Sequence, residues 1–185
     1  MPASTARRWG WHRLDRSWAS RIVVAAAVAR GDLVLDVGAG DGSLSDALVR
    51  AGARVVAVEL HPERVRLLRR RFTGVDVRVV VADAADLKLP RQSFSVVANP
   101  PFAITMALLR RLVAPGSRLV AADVVVPRHI AHRWCAGAVD GARRWGPHFD
   151  VSLGMRVPAH SFRPAIERDA VVLRIRRVKR GPPSK

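Results

Sequence analysis

The sequence predicts a doubly wound α/β fold, in which helices cover both faces of a mostly parallel β-sheet. Short segments that are apolar at nearly every position alternate with helical segments between residues 33 and 126. Strands of this continuously apolar kind are typical of parallel sheets, because both of their faces are buried. The chain has 185 residues, of which 49% are hydrophobic, so it is long enough for one domain with a substantial core.

The elements up to residue 126 follow from local signals. The break Arg30-Gly31-Asp32 ends the first helix, and Gly52 ends the second. Pro62 suits the first turn of a helix, because that position needs no backbone N–H donor. The predicted strands are Leu33–Val37, Arg54–Glu59, Val75–Val81, Ser93–Ala98 and Arg118–Val126. The predicted helices are Trp18–Ala29, Ser43–Ala51, Pro62–Phe72 and Thr105–Val113.

The last third of the chain is less regular. Arg128–Val139 is predicted as a helix, and His148–Val157 and Ala170–Arg176 are predicted as strands. Two strands after a five-stranded parallel core fit a seven-stranded sheet with an antiparallel hairpin at its edge. The loop Pro158–Asp169 between them is a candidate lid. The predicted organisation is a basic N-terminal arm (1–16), one catalytic α/β domain (17–176) and a basic flexible tail (177–185).

Basic residues dominate the charge of the chain. There are 32 Lys and Arg residues against 15 Asp and Glu residues, a formal net charge of +17. All but three of the basic residues are arginine, whose guanidinium group binds phosphate through two hydrogen bonds and stacks on bases. A GC-rich genome also raises arginine content, but codon bias seldom explains so large a net charge on one small domain. We therefore expect a nucleic-acid partner.

Several classes of protein are excluded by composition. Cys135 is the one cysteine, so there is no internal disulfide framework and no zinc site built from thiolates, and no metal is expected. The longest apolar run, Ile22–Ala29, is much shorter than a membrane span. The N-terminus is polar and basic, unlike a secretion signal. We expect a soluble, cytoplasmic protein, and nothing in the sequence indicates an obligate dimer.

A glycine-rich turn follows the first predicted strand. Gly38, Gly40 and Gly42 form a G-x-G-x-G pattern, one residue tighter than the G-x-G-x-x-G pattern that binds a pyrophosphate. Glu59 ends the second strand, where a carboxylate can accept hydrogen bonds from ribose hydroxyls. An ion pair with Arg64 is the alternative role for Glu59.

Asp83 follows the third strand, where its carboxylate can accept a hydrogen bond from an adenine amino group and Ala84 offers a backbone N–H to the ring. A glycine-rich turn, a Glu and an Asp at three successive strand ends together outline a nucleoside. Because the pyrophosphate spacing is missing, we predict S-adenosylmethionine (SAM) rather than NAD as the cofactor.

The fourth strand ends in Asn99-Pro100-Pro101-Phe102, beside the predicted cofactor. The amino group of adenine is a poor nucleophile, because its lone pair is delocalised into the ring. Hydrogen bonds to the Asn99 side-chain oxygen and the Pro100 carbonyl would direct that lone pair at a methyl group, and Phe102 can stack on a flipped base. A simple strand-ending turn is the alternative. No general base is required, since the methylated ammonium loses its proton to water.

Together, Gly38–Gly42, Glu59, Asp83 and Asn99–Phe102 resemble the ribosomal RNA adenine N6-methyltransferases, and within them the Erm group, which modifies 23S rRNA. The resemblance runs from Arg7 to Arg176, nearly the whole chain. It implies a Rossmann-like class I SAM-dependent methyltransferase that adds one or two methyl groups to one adenine of 23S rRNA. It also implies resistance to macrolide, lincosamide and streptogramin B antibiotics. Most members continue into a C-terminal helical domain, so we expect a short form.

The resemblance also implies roles for individual residues. The family's Gln-Asn-Phe-Leu motif, which contacts the methionine end of the cofactor, is replaced by Trp11-His12-Arg13-Leu14, so His12 is the candidate for that contact. The segment Ser161-Phe162-Arg163-Pro164 implies that Phe162 lies on the other side of the target base from Phe102. The expected cofactor-binding residues are His12, Leu14, Asp36, Gly38, Ala39, Gly40, Gly42, Glu59, Leu60, Asp83, Ala84 and Asn99.

The basic ends of the chain are expected to hold the RNA. Residues 1–30 carry six arginines against one aspartate, and residues 151–185 carry nine cations against Glu167 and Asp169. We predict that a group of arginines contacts phosphates, namely Arg7, Arg8, Arg13 and Arg163. The expected partner is 23S rRNA, naked or in a pre-ribosomal particle, bound by a monomer.

Three other functions compete with this interpretation. A DNA adenine methyltransferase shares the Asn-Pro-Pro-aromatic motif but normally has a sizeable target-recognition region, for which this chain has no room. A protein glutamine methyltransferase uses a similar motif, but that function leaves the net charge of +17 unexplained. A non-catalytic RNA-binding assembly factor could keep the fold, but the intact Asn99–Phe102 and Glu59 favour an enzyme.

Overall fold

The computed structural model describes residues 12–178. In chain order, the strands in this range are β1 (Arg13–Leu14), β2 (Leu33–Val37), β3 (Arg54–Glu59), β4 (Val77–Val81), β5 (Phe94–Ala98), β6 (Leu119–Pro127), β7 (Phe149–Val157), β8 (Phe162–Arg163) and β9 (Ala170–Arg177). The α-helices are α1 (Arg16–Ala26), α2 (Ser43–Arg50), α3 (Pro62–Arg71), α4 (Thr105–Leu112), α5 (Arg128–Cys135) and α6 (Ala142–Trp145).

Seven strands form one sheet in the order β4-β3-β2-β5-β6-β9-β7. All pairs from β4 to β6 are parallel, whereas β9 is antiparallel to both of its neighbours, β6 and β7. The predicted doubly wound, mostly parallel sheet with an antiparallel edge hairpin is therefore confirmed. None of the helices in the described part of the chain is long and apolar enough to span a membrane.

Helices pack on both faces of the sheet, because alternate residues of each strand point to opposite sides. In β5, Val97 packs against the layer of α1 and α2, and Val96 packs against the layer of α4 and α5. The side chain of Trp134 in α5 is completely buried in the second layer. The central strands are thus covered on both sides, as their apolar sequences predict.

Two predicted helices end three and four residues earlier than expected, whereas the C-terminal ends of the other predicted helices differ by one residue. The first ends at Ala26, because Ala27 is left-handed (φ 53°) and donates its N–H to the Val24 carbonyl. The helix expected to reach Val139 ends at Cys135. Gly137 is left-handed (φ 64°), and the N–H of Ala138 returns to the Arg133 carbonyl, a hydrogen bond that terminates a helix.

The predicted arm and the predicted lid are joined. Strand β1, in the stretch predicted as an irregular arm, pairs antiparallel with β8, in the loop predicted as a lid. The Asp15 N–H also donates to the Ser161 carbonyl at 2.9 Å. Part of the predicted arm therefore forms a short strand, and its boundary at residue 16 stays a prediction. The segment 158–169 is anchored to the domain rather than free.

The chain reverses its direction across the sheet between β2 and β5. Strand β2 has β3 on one side and β5 on the other, so the helices leaving β2 and β5 diverge at this point. In open α/β sheets a crevice forms there, outside the carboxyl ends of the strands. The glycine-rich turn follows β2, and Asn99 follows β5, so the predicted cofactor and acceptor residues flank this crevice.

Candidate cofactor and nucleobase site

The glycine-rich turn is held against the end of β3. The N–H groups of Gly38 and Ala39 both donate to the Val58 carbonyl, at 2.9 and 3.0 Å. Gly38 has φ +76°, and a Cβ atom there would lie 3.2 Å from Pro100 Cα and 3.1 Å from Pro101 Cδ. Only glycine allows this backbone angle and this approach without strain. The turn therefore lies in direct contact with the Asn-Pro-Pro segment.

Glu59 lies beneath this turn and is 6% exposed. Its Oε2 accepts a hydrogen bond from the Gly40 N–H at 2.9 Å, and its Oε1 accepts from Leu60 and His61 N–H at 2.9 and 2.8 Å. Arg64 Nη1 lies 4.0 Å from Oε1, so the alternative role as an ion-pair partner is also present. A carboxylate accepts about four hydrogen bonds. One acceptor position on Oε2 therefore remains for a ligand hydroxyl.

Asp36 is buried at the end of β2. Ser45 Oγ donates to its Oδ2 at 2.7 Å, whereas its Oδ1 is buried and has no hydrogen-bond partner among the described residues. The pKa of Asp36 is raised to about 7, chiefly by burial; the Ser45 hydrogen bonds oppose the rise, and the nearby carboxylates of Glu59 and Asp41 add to it. A buried acceptor without a partner is unusual in folded proteins. It marks a position where a ligand donor would be stabilised.

Asp83 and Ala84 lie in the turn after β4. Asp83 is exposed, and its Oδ1 accepts a hydrogen bond from the Ala85 N–H at 2.9 Å, which fixes the carboxylate at the turn. Ala84 is buried beside it. The Oδ2 atom of Asp83 makes no hydrogen bond within residues 12–178, so it is available to an amino group on a ligand.

The orientation of the Asn99 amide is set by His12, the residue before β1. Asn99 Nδ2 donates to the His12 carbonyl at 2.9 Å, which leaves Oδ1 without a hydrogen bond to any described residue. The partly exposed Phe102 ring stacks against the His12 ring, with centroids 6.2 Å apart and an interplanar angle of 25°. His12 Nδ1 lies 2.9 Å from the Pro164 carbonyl. An acceptor oxygen and an aromatic ring therefore stand side by side at the crevice.

Two openings meet at His12. A narrow cleft of about 20 Å³ separates β1 from the glycine-rich turn and is lined by residues that include His12, Leu14, Asp36, Gly38, Ala39 and Asn99. A wide groove of about 1090 Å³ lies on the other side, and we call it the α5 groove. Its lining is His12, Phe102, Pro127, Arg128, His129, His132 and residues 165–169. The residues predicted to bind the cofactor therefore lie next to those predicted to bind the target base.

Not every predicted residue lies at this site. Phe162 is completely buried among core residues under α1 and does not face the crevice, so its contact with a target base stays a prediction. Arg163 donates to the carbonyls of His160 and Phe162, within its own loop. Arg13 lies at the narrow cleft, with Nη1 3.9 Å from Asp41 Oδ2. Arg7 and Arg8 lie outside the described residues.

Sequence reasoning missed several residues of the site. Ser45 hydrogen-bonds Asp36 from nine positions away, a contact that depends on how α2 packs. Arg128, His129 and His132 of α5 line the groove beside Phe102. The feature that could have indicated these three residues is the basic helical segment directly after the fifth predicted strand. Among residues 12–178, no three His, Cys, Asp or Glu side chains are grouped as a metal site would require.

The sequence matches the family described as "Ribosomal RNA adenine dimethylase" over residues 12–185. Mycinamicin-resistance protein MyrB of Micromonospora griseorubida is 37% identical over 169 residues, which are 89% of this chain and 53% of MyrB. Ribosomal RNA small subunit methyltransferase A of Gloeobacter violaceus is 35% identical, over 92% of this chain and 66% of that protein. The chain therefore spans about half to two thirds of the length of these relatives.

Solved structures agree with the fold. The 23S rRNA methyltransferase ErmE superposes with a TM-score of 0.80 at 25% identity, over 91% of this chain and 70% of ErmE. A dimethyladenosine transferase from Plasmodium falciparum superposes with a TM-score of 0.76 at 22% identity, over 90% of this chain and 64% of that chain.

Proposed function

Because the chain belongs to the ribosomal RNA adenine dimethylase family, we propose that it transfers methyl groups from SAM to N6 of an adenine in ribosomal RNA. The observation that carries this proposal is the Asn99 amide. Its Nδ2 is held by the His12 carbonyl at 2.9 Å, and its Oδ1 has no donor among residues 12–178, so it is free to accept from an amino group. The ribosome is cytoplasmic in bacteria, so we expect the protein to act there.

The residues of the crevice fit the proposed cofactor. The unpaired Oδ1 of Asp36 suits a donor group, the remaining acceptor position of Glu59 suits a hydroxyl, and Asp83 Oδ2 suits an amino group. When bound, SAM supplies an electrophilic methyl group on a sulfonium. The narrow cleft has room for about one water molecule. We therefore expect β1, which forms one wall, to move outward on binding.

Hydrogen bonds to the Asn-Pro-Pro segment would activate the adenine amine by fixing its orientation. Asn99 Oδ1 and the Pro100 carbonyl would each accept one N–H of the amine, which turns the nitrogen lone pair away from the ring. Phe102 would stack on the flipped base, a contact worth about 1–3 kcal/mol. The proton released after methylation passes to water, so no side chain is required as a base.

The α5 groove would carry the RNA strand that flanks the target. Arg128, His129 and His132 lie on α5, and Arg168 and Phe102 also line the groove. The carboxylates that line the α5 groove are those of Glu167 and Asp169, and Asp169 already pairs with Arg156. The two arginines and the two imidazoles offer hydrogen-bond donors that suit a phosphate backbone.

We propose 23S rRNA, naked or pre-ribosomal, as the substrate, and resistance to macrolide-type antibiotics as the outcome. The 37% identity to a protein named for mycinamicin resistance and the fold of ErmE support this choice. A 16S substrate is the second candidate, because relatives named ribosomal RNA small subunit methyltransferase A are 30–35% identical.

A methyl-transfer assay tests the substrate. Radiolabelled SAM is offered with naked 23S rRNA, naked 16S rRNA, mature ribosomal subunits, duplex DNA and release-factor protein in parallel. We expect label in naked 23S rRNA, recovered as N6-methyladenosine or N6,N6-dimethyladenosine after digestion. Label in 16S rRNA alone would support the second candidate. Label in DNA or protein alone, or in none of the substrates, would contradict the proposed function.

A substitution at Asn99 tests the mechanism. We expect Asn99→Ala to lower kcat by about 100-fold or more, because one oriented acceptor in a reacting site contributes about that factor. Gln92→Ala, at an exposed amide before β5, serves as the control and should leave kcat unchanged. Undiminished turnover by Asn99→Ala would exclude the proposed role of the amide.

A further inference from the structure

A second open groove lies at the opposite edge of the sheet from the candidate site. Its volume is about 840 Å³, and it forms where β5, β6 and β7 begin and where β9 ends. The cofactor and nucleobase residues follow the carboxyl ends of the parallel strands, whereas this groove lies at their amino ends. We call it the amino-edge groove. None of the residues assigned to the proposed reaction lines it.

The floor of the amino-edge groove is apolar and aromatic. Val113, Val120, Trp145 and Phe149 contribute to it. Val120 is 46% exposed, although it lies in a strand of the main sheet. Trp145 is stacked on Trp134, with ring centroids 5.0 Å apart. The floor thus offers flat apolar surface that solvent reaches in part.

The rim of the groove is cationic. Its one carboxylate, Asp140, is already paired with Arg110 at 2.7 Å. Arg118 and Arg144 are exposed, and their guanidinium groups make no hydrogen bond or ion pair with any residue from 12 to 178. The rim therefore presents two arginines whose charge the described part of the chain leaves uncompensated.

A further cation is held in a fixed position over an aromatic ring. The Arg177 guanidinium lies 4.5 Å from the centroid of the Phe149 ring. It donates to the Leu119 carbonyl at 2.6 Å and to the Ser117 carbonyl at 2.7 Å. These hydrogen bonds already fix the Arg177 side chain, so binding of a ligand would not carry the entropic cost of ordering it.

The buried indole of Trp145 is a polar group in the otherwise apolar lining of this part of the groove. Its Nε1–H has no hydrogen-bond partner among the described residues, and the residue is 7% exposed. Buried donors in folded proteins almost always have a partner. An acceptor oxygen that entered the groove beside this ring would supply one.

We propose that the amino-edge groove binds a segment of the substrate RNA that is remote from the target adenine. Arg118 and Arg144 would contact phosphates, and the apolar floor, which is exposed at Val120, would contact a base, so that cationic and apolar contacts combine as they do in single-stranded RNA sites. Ser93 at this groove and Asn99 at the crevice are separated by strand β5, about 20 Å at 3.3 Å per residue. A folded RNA several nucleotides long spans that distance. The inference rests on the proposed function, because it takes the same RNA as the ligand.

The charge-reversal pair Arg118→Glu/Arg144→Glu tests this surface. Binding of naked 23S and 16S rRNA is measured between 50 and 300 mM KCl by filter binding. We expect the pair to weaken binding by about tenfold or more at low salt and to reduce the slope of log K against log salt by about two, one for each lost phosphate contact. Neither guanidinium has an internal partner in the described chain, so the fold should be unaffected, which circular dichroism verifies.

The matched control is Arg66→Glu/Arg70→Glu, on the exposed side of α3. It changes the net charge by the same amount, and neither guanidinium has an internal partner within residues 12–178. We expect a smaller loss of affinity and a smaller change of slope. Equal losses in the two pairs would assign the effect to net charge and overturn the inference, as would unchanged binding by the groove pair.

Two further readouts separate this inference from the proposed function. The groove pair should raise KM for rRNA while leaving kcat and the affinity for SAM unchanged; a fall in kcat alone would overturn the inference. Photo-crosslinking to rRNA that contains 4-thiouridine should label a peptide containing Trp145–Phe149, and crosslinks confined to α5 and residues 165–169 would also overturn it. If the wild-type protein methylates no RNA, the proposed function fails, while binding and crosslinking still test the groove.

Discussion

Gly38 touches both halves of the candidate site. Its N–H donates to Val58, which fixes the cofactor-side turn, and its α-carbon faces Pro100 and Pro101 on the acceptor side. A side chain at this position would have to displace the backbone of Pro100, because the nearest Pro100 atom is Cα at 3.2 Å. One residue therefore sets the spacing between the two proposed ligands.

We predict that Gly38→Ala impairs methyl transfer far more than Gly74→Ala does. Both glycines have nearly the same positive φ, +76° and +75°, but a Cβ at Gly74 would meet nothing within 4 Å. Both variants should lose about 1–2 kcal/mol of stability from the backbone angle alone. Only Gly38→Ala should also lower kcat/KM, by about tenfold or more. Equal kcat/KM values for the two variants would contradict this account of the contact.

The Asp36 carboxyl, which lines the crevice, should make the stability of the protein depend on pH. Its pKa rises from 3.8 to about 7 in the folded protein, chiefly because it is buried. Between these two values the folded state holds a proton that the unfolded state has lost. Stability therefore falls as the pH rises through this window, and above it the cost is constant, on the order of 4 kcal/mol.

We expect Asp36→Asn to remove this pH dependence in the ligand-free protein. The variant should be more stable than the wild type at pH 8, by up to about 4 kcal/mol, and the difference should shrink toward pH 4. Urea unfolding at several pH values measures it. Asp86→Asn, at an exposed position, is the control. A stability difference that stays constant from pH 4 to pH 8 would count against the raised pKa.

At the residue scale, the sequence was sufficient to predict which polar residues lie at the carboxyl ends of the strands. Glu59, Asp83 and Asn99 lie at or just after the ends of mainly apolar strands, so their common edge was predictable from parallel pairing. The burial of Phe162 was not, because it depends on how segment 158–169 packs beneath α1. Nor was the Asn99–His12 contact, which joins residues 87 positions apart.

At the scale of elements, a buried charge cluster joins β9 to β6. Asp123 in β6 is 2% exposed, and its carboxylate lies 2.6 Å from Arg176 Nη2 and 3.3 Å from Arg174 Nε. Arg174 also donates to the Ala25 carbonyl of α1, and Arg176 donates to the Ala122 carbonyl. Burial raises the pKa of Asp123, and the two arginines oppose that rise. The antiparallel strand is thus tied to the parallel sheet and to a helix.

We predict that Asp123→Asn lowers the free energy of unfolding by about 2–3 kcal/mol. Removal of one partner from a buried ion pair costs about 3–5 kcal/mol. We expect a smaller loss, because the burial that raises the pKa of Asp123 offsets part of the contribution of the ionised carboxylate and because each arginine is about a third exposed. Denaturant unfolding at pH 7 measures the change, with exposed Asp150→Asn as the control. An equal effect of the two substitutions would mean that the cluster contributes nothing.

The predicted elements agree best where the local pattern alone decides them. Strands β2 and β3 have the predicted bounds, since both are apolar runs bounded by turn residues. Helix ends were less accurate, because Ala27 adopts a left-handed angle that its sequence does not signal. The two-residue pair β1–β8 was missed for another reason: it joins residues about 150 positions apart, and neither strand is long enough to show alternation.

At the scale of the whole molecule, the net charge of +17 should make substrate binding strongly dependent on salt. If about four phosphates are contacted, log K falls with a slope of about −3.6, so affinity drops several hundredfold between 50 and 300 mM KCl. The affinity for SAM, which involves no phosphate, should change little over the same range and is the internal control. Filter binding and calorimetry measure the two. A salt-independent affinity for rRNA would argue against an electrostatic interface.

The reversed direction of β9 determines where the chain leaves the sheet. Because β9 runs against its neighbours, Arg177 lies at the amino edge, and the Val178 N–H is bonded to the His148 carbonyl there. A reporter fused behind this strand would emerge far from the nucleobase crevice and next to the amino-edge groove. Such a fusion should leave turnover on minimal RNA fragments intact while obstructing the docking of intact rRNA, which makes it a steric probe of long-range RNA contacts.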